Sequence, residues 1–244
     1  MWGKVLRDLT RELDMTIVET RPVKTNKPVL LTGFQTPGMV GVTAVSHMIN
    51  SLRMSEVAYL RSRFIPTVKL IVGPEFRTLN PFRIYANSTG EVLAFVNDSP
   101  AGSIGLSPFF NDIGRTVVDW FHEKDVRLLV ALGSFPVQKK ERAKLVAYST
   151  DSERLKELTK LGITPLQSGF IGGIVVSIID ECIKRGIPWL MLFAPTRKMG
   201  EVDLEAVQMI LEGVNKILGL NIDTESLKMA RAGRRGLLRS LRRR

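Results

Sequence analysis

Residues 28–48, PVLLTGFQTPGMVGVTAVSHM, are the stretch around which the fold is organised. The apolar start predicts a buried strand, the middle a loop with three glycines, and the end a helix. Such a unit places backbone N–H groups and a helix N-terminus at the carboxyl edge of a sheet, where α/β proteins usually have their sites. The loop matches neither G-x-G-x-x-G nor the P-loop, so a tight turn and close helix–strand packing are the simpler interpretation of its glycines.

Predicted strands alternate with predicted helices beyond this unit. Near-continuous apolar runs are typical of strands that helices cover on both faces. Further strands are predicted at residues 56–61, 68–72, 82–86, 91–96, 126–132, 144–150 and 188–194. Further helices are predicted at residues 107–121, 152–161, 174–183 and 203–218. This alternation, with a hairpin around residues 87–90, predicts an α/β fold: a three-layer α/β/α sandwich with a mixed, largely parallel sheet.

Two of the predicted helices begin at residues that are typical of helix caps. Ser107 is predicted as an N-cap, with Pro108 at the first helical position. Thr150 and Glu153 match a capping box.

Near the N-terminus, residues 4–14 are predicted to form a short helix or an extended arm.

The positive charge is concentrated at the C-terminus. The whole chain has a net charge of +11, but residues 228–244 contain eight basic and no acidic residues. The remaining 27 basic and 24 acidic residues leave a net charge of only +3 on residues 1–227. We therefore predict a single α/β domain over residues 1–222 and a basic C-terminal helical arm over residues 223–244.

The arm has three interpretations. Apolar residues recur at helical spacing, so an amphipathic helix would bind a protein partner with an acidic surface. The candidate partner-binding residues are Leu227, Arg231, Arg234, Arg235, Leu237 and Leu241. The second interpretation is a solvated tail. The third, nucleic-acid binding, is less favoured because no aromatic residues are interleaved for base stacking.

Residues suited to catalysis are sparse. The chain has two histidines, His47 and His122, and neither lies at metal-ligand spacing from a second His or Cys. Cys182 is the only cysteine and lies among apolar residues of a predicted helix. We expect no catalytic residue, no metal and no cofactor. The lone cysteine, the absence of a signal peptide and the absence of a membrane-spanning run predict a soluble, cytoplasmic protein with no membrane partner.

Four short segments, in order along the chain, carry a family resemblance. They are GFQTPGMVG (33–41), VALGSF (130–135), SGFIGG (168–173) and IPWLMLFAPT (187–196). Together they resemble the family of the second proteasome assembly chaperone, which includes archaeal homologues, over residues 28–218. The resemblance implies a non-enzymatic protein with a fold related to nucleoside phosphorylases. It also implies binding to proteasome α-subunits during core-particle assembly.

Some members of that family dock through a C-terminal tail of a hydrophobic residue, a tyrosine and any residue. This chain ends in Leu241-Arg242-Arg243-Arg244 and has no tyrosine there. The resemblance therefore does not extend to tail docking.

Two functional hypotheses follow. The first is a non-enzymatic scaffold that binds proteasome α-subunits or another complex. It would be a homo-oligomer, because the apolar face of helix 203–218 and the leucines that follow it need cover. The alternative is a nucleotide- or nucleoside-binding enzyme or sensor. Its ligand would lie at the glycine-loop edge of the sheet, on Gly33, Gly38, Asp98 and Gly133.

Overall fold

The computed structural model describes residues 15–97, 105–138 and 144–230. The predicted helix or arm over residues 4–14 lies outside the described residues. The strands are β1 Met15–Glu19, β2 Val29–Gly33, β3 Ser55–Ser62, β4 Val68–Val72, β5 Glu75–Leu79, β6 Phe82–Ala86, β7 Val92–Asn97, β8 Leu128–Pro136, β9 Val146–Tyr148, β10 Thr164–Pro165 and β11 Trp189–Thr196. The helices are α1 Val40–Ser51, α2 Phe110–Glu123, α3 Ser152–Lys160, α4 Ile174–Arg185 and α5 Leu204–Leu218.

Nine of these strands form one sheet in the order β1-β3-β6-β7-β2-β8-β11-β9-β10. The four central strands, β7-β2-β8-β11, are parallel, and antiparallel pairs flank them on both sides. The predicted mixed α/β sheet and the predicted β6–β7 hairpin are confirmed. The apolar run 68–72 takes no part in this sheet, because β4 pairs only with β5 in a separate two-stranded sheet.

Helices cover both faces of the central strands. Alternation along β2 places Val29 and Leu31 in a core under α1 and α5, and Leu30 in a second core against α2 and α4. Every residue of β2 is buried as a result. The predicted three-layer sandwich follows from this two-sided burial.

The first turn of α1 lies unusually close to the sheet. A Cβ atom on Gly33 would lie 2.2 Å from the carbonyl oxygen of Gly41. A Cβ atom on Gly41 would lie 2.4 Å from the carbonyl oxygen of Leu132 in β8. Only glycine allows backbone to approach backbone at these distances. The interpretation of these glycines as close-packing residues is confirmed.

Both predicted caps are wrong. Ser107 begins a 3₁₀ turn, Ser107–Phe109, whose N-cap is Leu106, and no side chain caps it. At α3 the N-cap is Asp151, whose carboxylate accepts a hydrogen bond from the Arg154 N–H at 3.0 Å. A carboxylate at this position also interacts favourably with the helix dipole, which explains why it takes the place of Thr150.

The polypeptide after α5 returns to the body of the protein. Residues 225–230 are helical, and Leu227 is buried in the same core as α1 and α5. Leu227 was expected on a partner-binding arm, but its side chain is inside the fold. The apolar periodicity of the arm reflects core packing at this position, because a leucine stripe has the same pattern whichever surface covers it.

Because α1 lies so close to the sheet, a single methyl group added at Gly33 should reduce the stability of the fold. Gly33→Ala should lower the free energy of unfolding by about 1–3 kcal/mol, because backbone atoms must shift to accommodate the added carbon. Gly200→Ala is the matched control, since no atom lies within 4 Å of its added Cβ. Denaturant unfolding of both variants measures the difference, and equal stabilities would contradict the packing role of Gly33.

Candidate functional site

Three of the glycine-rich segments meet at one cleft of about 620 Å³ at the carboxyl edge of the central strands. The loop after β2 contributes residues 34–37, the end of β8 contributes residues 131–135, and the turn before α4 contributes residues 168–173. We call this the glycine-loop cleft. The carboxyl ends of parallel strands share one edge of a sheet, so these distant segments lie together.

The walls of the glycine-loop cleft are mainly apolar and aromatic. Phe34, Phe110, Phe170 and Phe193 line it. The polar side chains at the cleft are those of Gln35, Thr36, Asn97, Ser134 and Ser168. No charged side chain is among the described residues that line it. Apolar walls with a few polar groups are typical of sites for small neutral ligands or for inserted side chains.

Two N–H groups in the first turn of α1 have partners in the loop before the helix. The Gly41 N–H donates to the Thr36 hydroxyl at 3.3 Å, and the Val42 N–H donates to the Phe34 carbonyl at 3.2 Å. The Ser134 hydroxyl in turn lies 3.0 Å from the Thr36 hydroxyl, which ties this loop to the end of β8. Two of the N–H groups that an anion would need are therefore already bonded within the chain.

Gly38 belongs to a second set of internal contacts. Its φ is +64°, and an added Cβ would lie 2.5 Å from the Thr196 hydroxyl. The Gly38 carbonyl accepts from the Asp203 N–H at 2.9 Å, and Thr196 donates to the Asp203 carboxylate at 2.8 Å. Asp203 also caps α5. These contacts hold the loop after β2 against the end of β11, and neither Thr196 nor Asp203 was predicted to have this role.

Of the four residues predicted to bind a ligand, only one is seen to line the glycine-loop cleft. Gly133 lines the glycine-loop cleft. Gly33 and Gly38 are absent from its lining and pack against their own chain, and Asp98 lies outside the described residues. Of the predicted partner-binding residues, Leu227 is buried. The others lie outside the described residues: Arg231, Arg234, Arg235, Leu237 and Leu241.

The turn at residues 168–173 separates two clefts. Phe170 at its tip is fully exposed, and Gly172 and Gly173 have open space around them. On the other side of the turn lies a second cleft of about 480 Å³, bounded by Tyr148, Ile183 and Trp189. We call this the Tyr148 cleft. Gly172 and Gly173 thus lie in an exposed turn that also lines the glycine-loop cleft.

Two titratable residues that the sequence brought to attention, His47 and Cys182, are bonded or buried within the fold. The His47 ring bonds to the Asp223 carbonyl oxygen through Nε2. Cys182 is buried, and burial raises the pKa of its thiol to about 12. Burial alone would raise the pKa of the neighbouring Glu181, but hydrogen bonds from Lys184 and Arg185 outweigh it and lower that pKa.

The described ranges contain neither a cluster of metal ligands nor a membrane-spanning helix. Within residues 15–97, 105–138 and 144–230, no group of three or more His, Cys, Asp or Glu side chains is placed to hold a metal ion. In the same part of the chain no helix has the length and apolar character needed to cross a membrane.

The chain is similar to a known protein family and to several solved structures. A family model described as the PAC2 family matches residues 30–233. A solved protein of unknown function from Thermoplasma acidophilum is 30% identical, with a TM-score of 0.73 over 93% of this chain and 90% of that chain.

Two solved proteins of Pyrococcus furiosus share the fold. PbaA, described as an archaeal homolog of proteasome-assembly chaperone, is 22% identical with a TM-score of 0.79, over 93% of this chain and 92% of its own. PbaB, described as an archaeal proteasome activator, is 20% identical with a TM-score of 0.78, over 94% of this chain and 99% of its own. At these identities the likeness concerns the fold alone.

The environment of Cys182 predicts its reactivity. A buried thiol with a pKa of about 12 is almost entirely protonated at pH 8, and the thiolate is the reactive form. The native protein should therefore not react with a thiol reagent such as dithionitrobenzoate, whereas the protein in denaturant should release one equivalent of product. Rapid stoichiometric labelling of the native protein would contradict a purely structural role for Cys182.

Proposed function

The chain belongs to the PAC2 family, and we propose that it is a non-enzymatic, proteasome-assembly-chaperone-like protein of the cytoplasm. It binds proteasome α-subunits, or another protein complex, as a homo-oligomeric scaffold. The observation that carries this proposal is the family match over residues 30–233, which spans nearly the whole structured body. The fold shared with an archaeal homolog of proteasome-assembly chaperone supports it.

The exposed apolar residues support a protein-binding role. Ile71, Phe76, Phe170 and Met199 are all large, apolar and exposed. Adjoining exposed apolar side chains, such as Ile71 and Phe76 across the hairpin, are typical of sites of protein association. The four residues lie on a hairpin, on a turn and in a loop, where a partner has direct access.

The absence of a charged catalytic pair in the described cleft also favours this proposal. The hydroxyls of Thr36 and Ser134 bond to each other and to backbone groups of the same loop. No described His, Asp, Glu, Lys or Arg lines the cleft beside them. A hydroxyl nucleophile needs an adjacent base, and the described part of this cleft offers none.

The second candidate function is nucleoside binding in the glycine-loop cleft, as an enzyme or a sensor. The aromatic walls and the nearby hydroxyl and amide groups suit a flat, neutral base and a sugar. The bonded N–H groups at the start of α1 favour a nucleoside over a nucleotide. Its ligand would contact Gly133 and Ser134.

The chaperone-like proposal predicts the outcome of an affinity capture. The full-length tagged protein, incubated with native lysate from its own source, should recover proteasome α-subunits in fixed ratio. The capture should persist in a Gly200→Ala control, which leaves the surface and packing intact. Recovery of this chain alone at low and high salt would contradict the proposal.

Thermal shift distinguishes the second candidate. Binding to the native state alone raises the melting temperature with ligand concentration. Nucleosides at millimolar concentration should raise the melting temperature if the glycine-loop cleft binds them. Loss of a large side chain from the wall of the cleft, Phe193→Ala, should abolish this shift. A flat response to a panel of nucleosides and nucleotides would exclude this candidate.

The basic arm predicts a salt-dependent contribution to partner binding. Deleting residues 231–244 removes seven arginines but keeps Leu227, so the melting temperature should not change. The affinity for the partner should fall. Raising the salt should lower the partner affinity of the full-length protein in the same way, because screening limits the attraction between the basic arm and an acidic surface to about 8 Å at physiological ionic strength. Leu227→Ala is the contrasting variant, with an expected loss of about 2–5 kcal/mol in stability. Unchanged affinity of the truncated protein at every salt concentration would show that the arm is a solvated tail.

A further inference from the structure

The β4–β5 hairpin lies outside the main sheet. Its two strands pair only with each other. A two-stranded hairpin alone is marginally stable in water, so a further surface that packs on it would stabilise it. In the register, Ile71 lies directly opposite Phe76, and Lys69 lies opposite Thr78. These four residues share one side of the hairpin, which we call the hairpin face.

The hairpin face is an exposed apolar pair with one positive charge. Ile71 is 72% exposed and Phe76 is 66% exposed. The Lys69 ammonium lies 5.2 Å from the Phe76 ring centroid and donates to the Thr78 hydroxyl at 2.6 Å. Lys69 forms no ion pair with any residue of the described ranges. A complementary surface would therefore combine an apolar recess with an acidic group.

The Tyr148 cleft has these properties. Tyr148, which is 39% exposed, and Ile183, which is 54% exposed, form its rim. The Tyr148 ring lies 5.8 Å from the ring of Trp189, which is buried in the wall. Asp180 also lines the cleft, is exposed, and has no hydrogen bond or ion pair to a described residue.

The hairpin and the Tyr148 cleft are too far apart to meet within one chain. The hairpin joins β3 to β6, whereas Tyr148 is in β9, six places from β3 in the nine-stranded order. Neighbouring strands lie about 4.8 Å apart, so the separation across the sheet is roughly 29 Å. The two surfaces can therefore meet only between copies.

We propose that the hairpin face of one copy binds the Tyr148 cleft of a second copy, with Lys69 beside Asp180. This proposal rests on the homo-oligomer of the proposed function and names its contact surfaces. Because the two surfaces differ, the contact is heterologous, and repeating it produces a closed ring when the rotation closes. The occupant is a second copy because this chain itself offers the apolar recess and the unpaired acid that the hairpin face lacks.

The experiment uses two complementary variants of the full chain. The hairpin variant, Ile71→Lys with Phe76→Glu, removes both apolar side chains and keeps an opposite-charge cross-strand pair, so the hairpin itself is preserved. The cleft variant is Ile183→Glu. Multi-angle light scattering should give a fixed multiple of 27.3 kDa for the wild type and 27.3 kDa for each variant alone. Leu161→Glu, the same kind of substitution at a 43% exposed leucine outside both surfaces, is the control and should keep the wild-type mass.

Mixing the two variants is the decisive step. The hairpin variant retains an intact cleft and the cleft variant retains an intact hairpin, so one productive contact remains and the mixture should form a 1:1 dimer that grows no further. A monomeric wild type, a variant that keeps the wild-type mass while circular dichroism shows it folded, or a mixture that stays monomeric would overturn the proposal.

The salt dependence of the oligomer and the capture of α-subunits distinguish this proposal from charge-driven association and from the proposed function. Each copy has a net charge of +11, so screening reduces the repulsion between copies, and the wild-type oligomer should persist at high salt. Dissociation by salt would overturn this contact, because it would mean that charge attraction and not the apolar pair holds the copies together. Capture of proteasome α-subunits by a monomeric wild type would overturn this inference and the homo-oligomer, and would leave the proposed α-subunit binding intact. An intact oligomer that captures no partner would overturn the proposed function alone.

Discussion

The close approach of α1 to the sheet is the constraint on which the rest of the structure depends. Gly33 in β2 and Gly41 in α1 face each other backbone to backbone, and Gly41 also touches the end of β8. A side chain at either position would push α1 away from the two central strands. The position of α1 sets the loop after β2, and that loop forms one wall of the glycine-loop cleft.

The same packing changes the chemistry of the sheet edge. In many α/β proteins the N–H groups at this edge bind phosphate, but here they bond to Thr36 and to the Phe34 carbonyl. Asp203 and Thr196 secure the loop from the opposite side. What remains open is an uncharged cleft with aromatic walls over its described part, beside a turn with Phe170 exposed at its tip. This arrangement suits recognition of an apolar or neutral group better than catalysis on an anion.

The accessible features of the molecule are apolar surfaces at opposite ends of the sheet. The hairpin face follows β3 near one end, and the Tyr148 cleft lies beside β9 near the other. The proposed contact between these two surfaces would join copies of the chain end to end across the sheet. The two buried cores on either face of the sheet lie between them.

The sequence by itself determined the fold class, the buried central strands, the β6–β7 hairpin and the family, because each depends on local periodicity or on short ordered motifs. It also predicted that glycine loops lie at the carboxyl edge of the sheet, where Gly133 lines the cleft in the structure. The burial of Leu227, the cap at Asp151, the separate β4–β5 hairpin and the internal roles of Gly33 and Gly38 were decided only by the tertiary structure. The physical reason is that periodicity reports which residues are apolar or small, whereas the surface that meets each of them comes from a distant part of the chain.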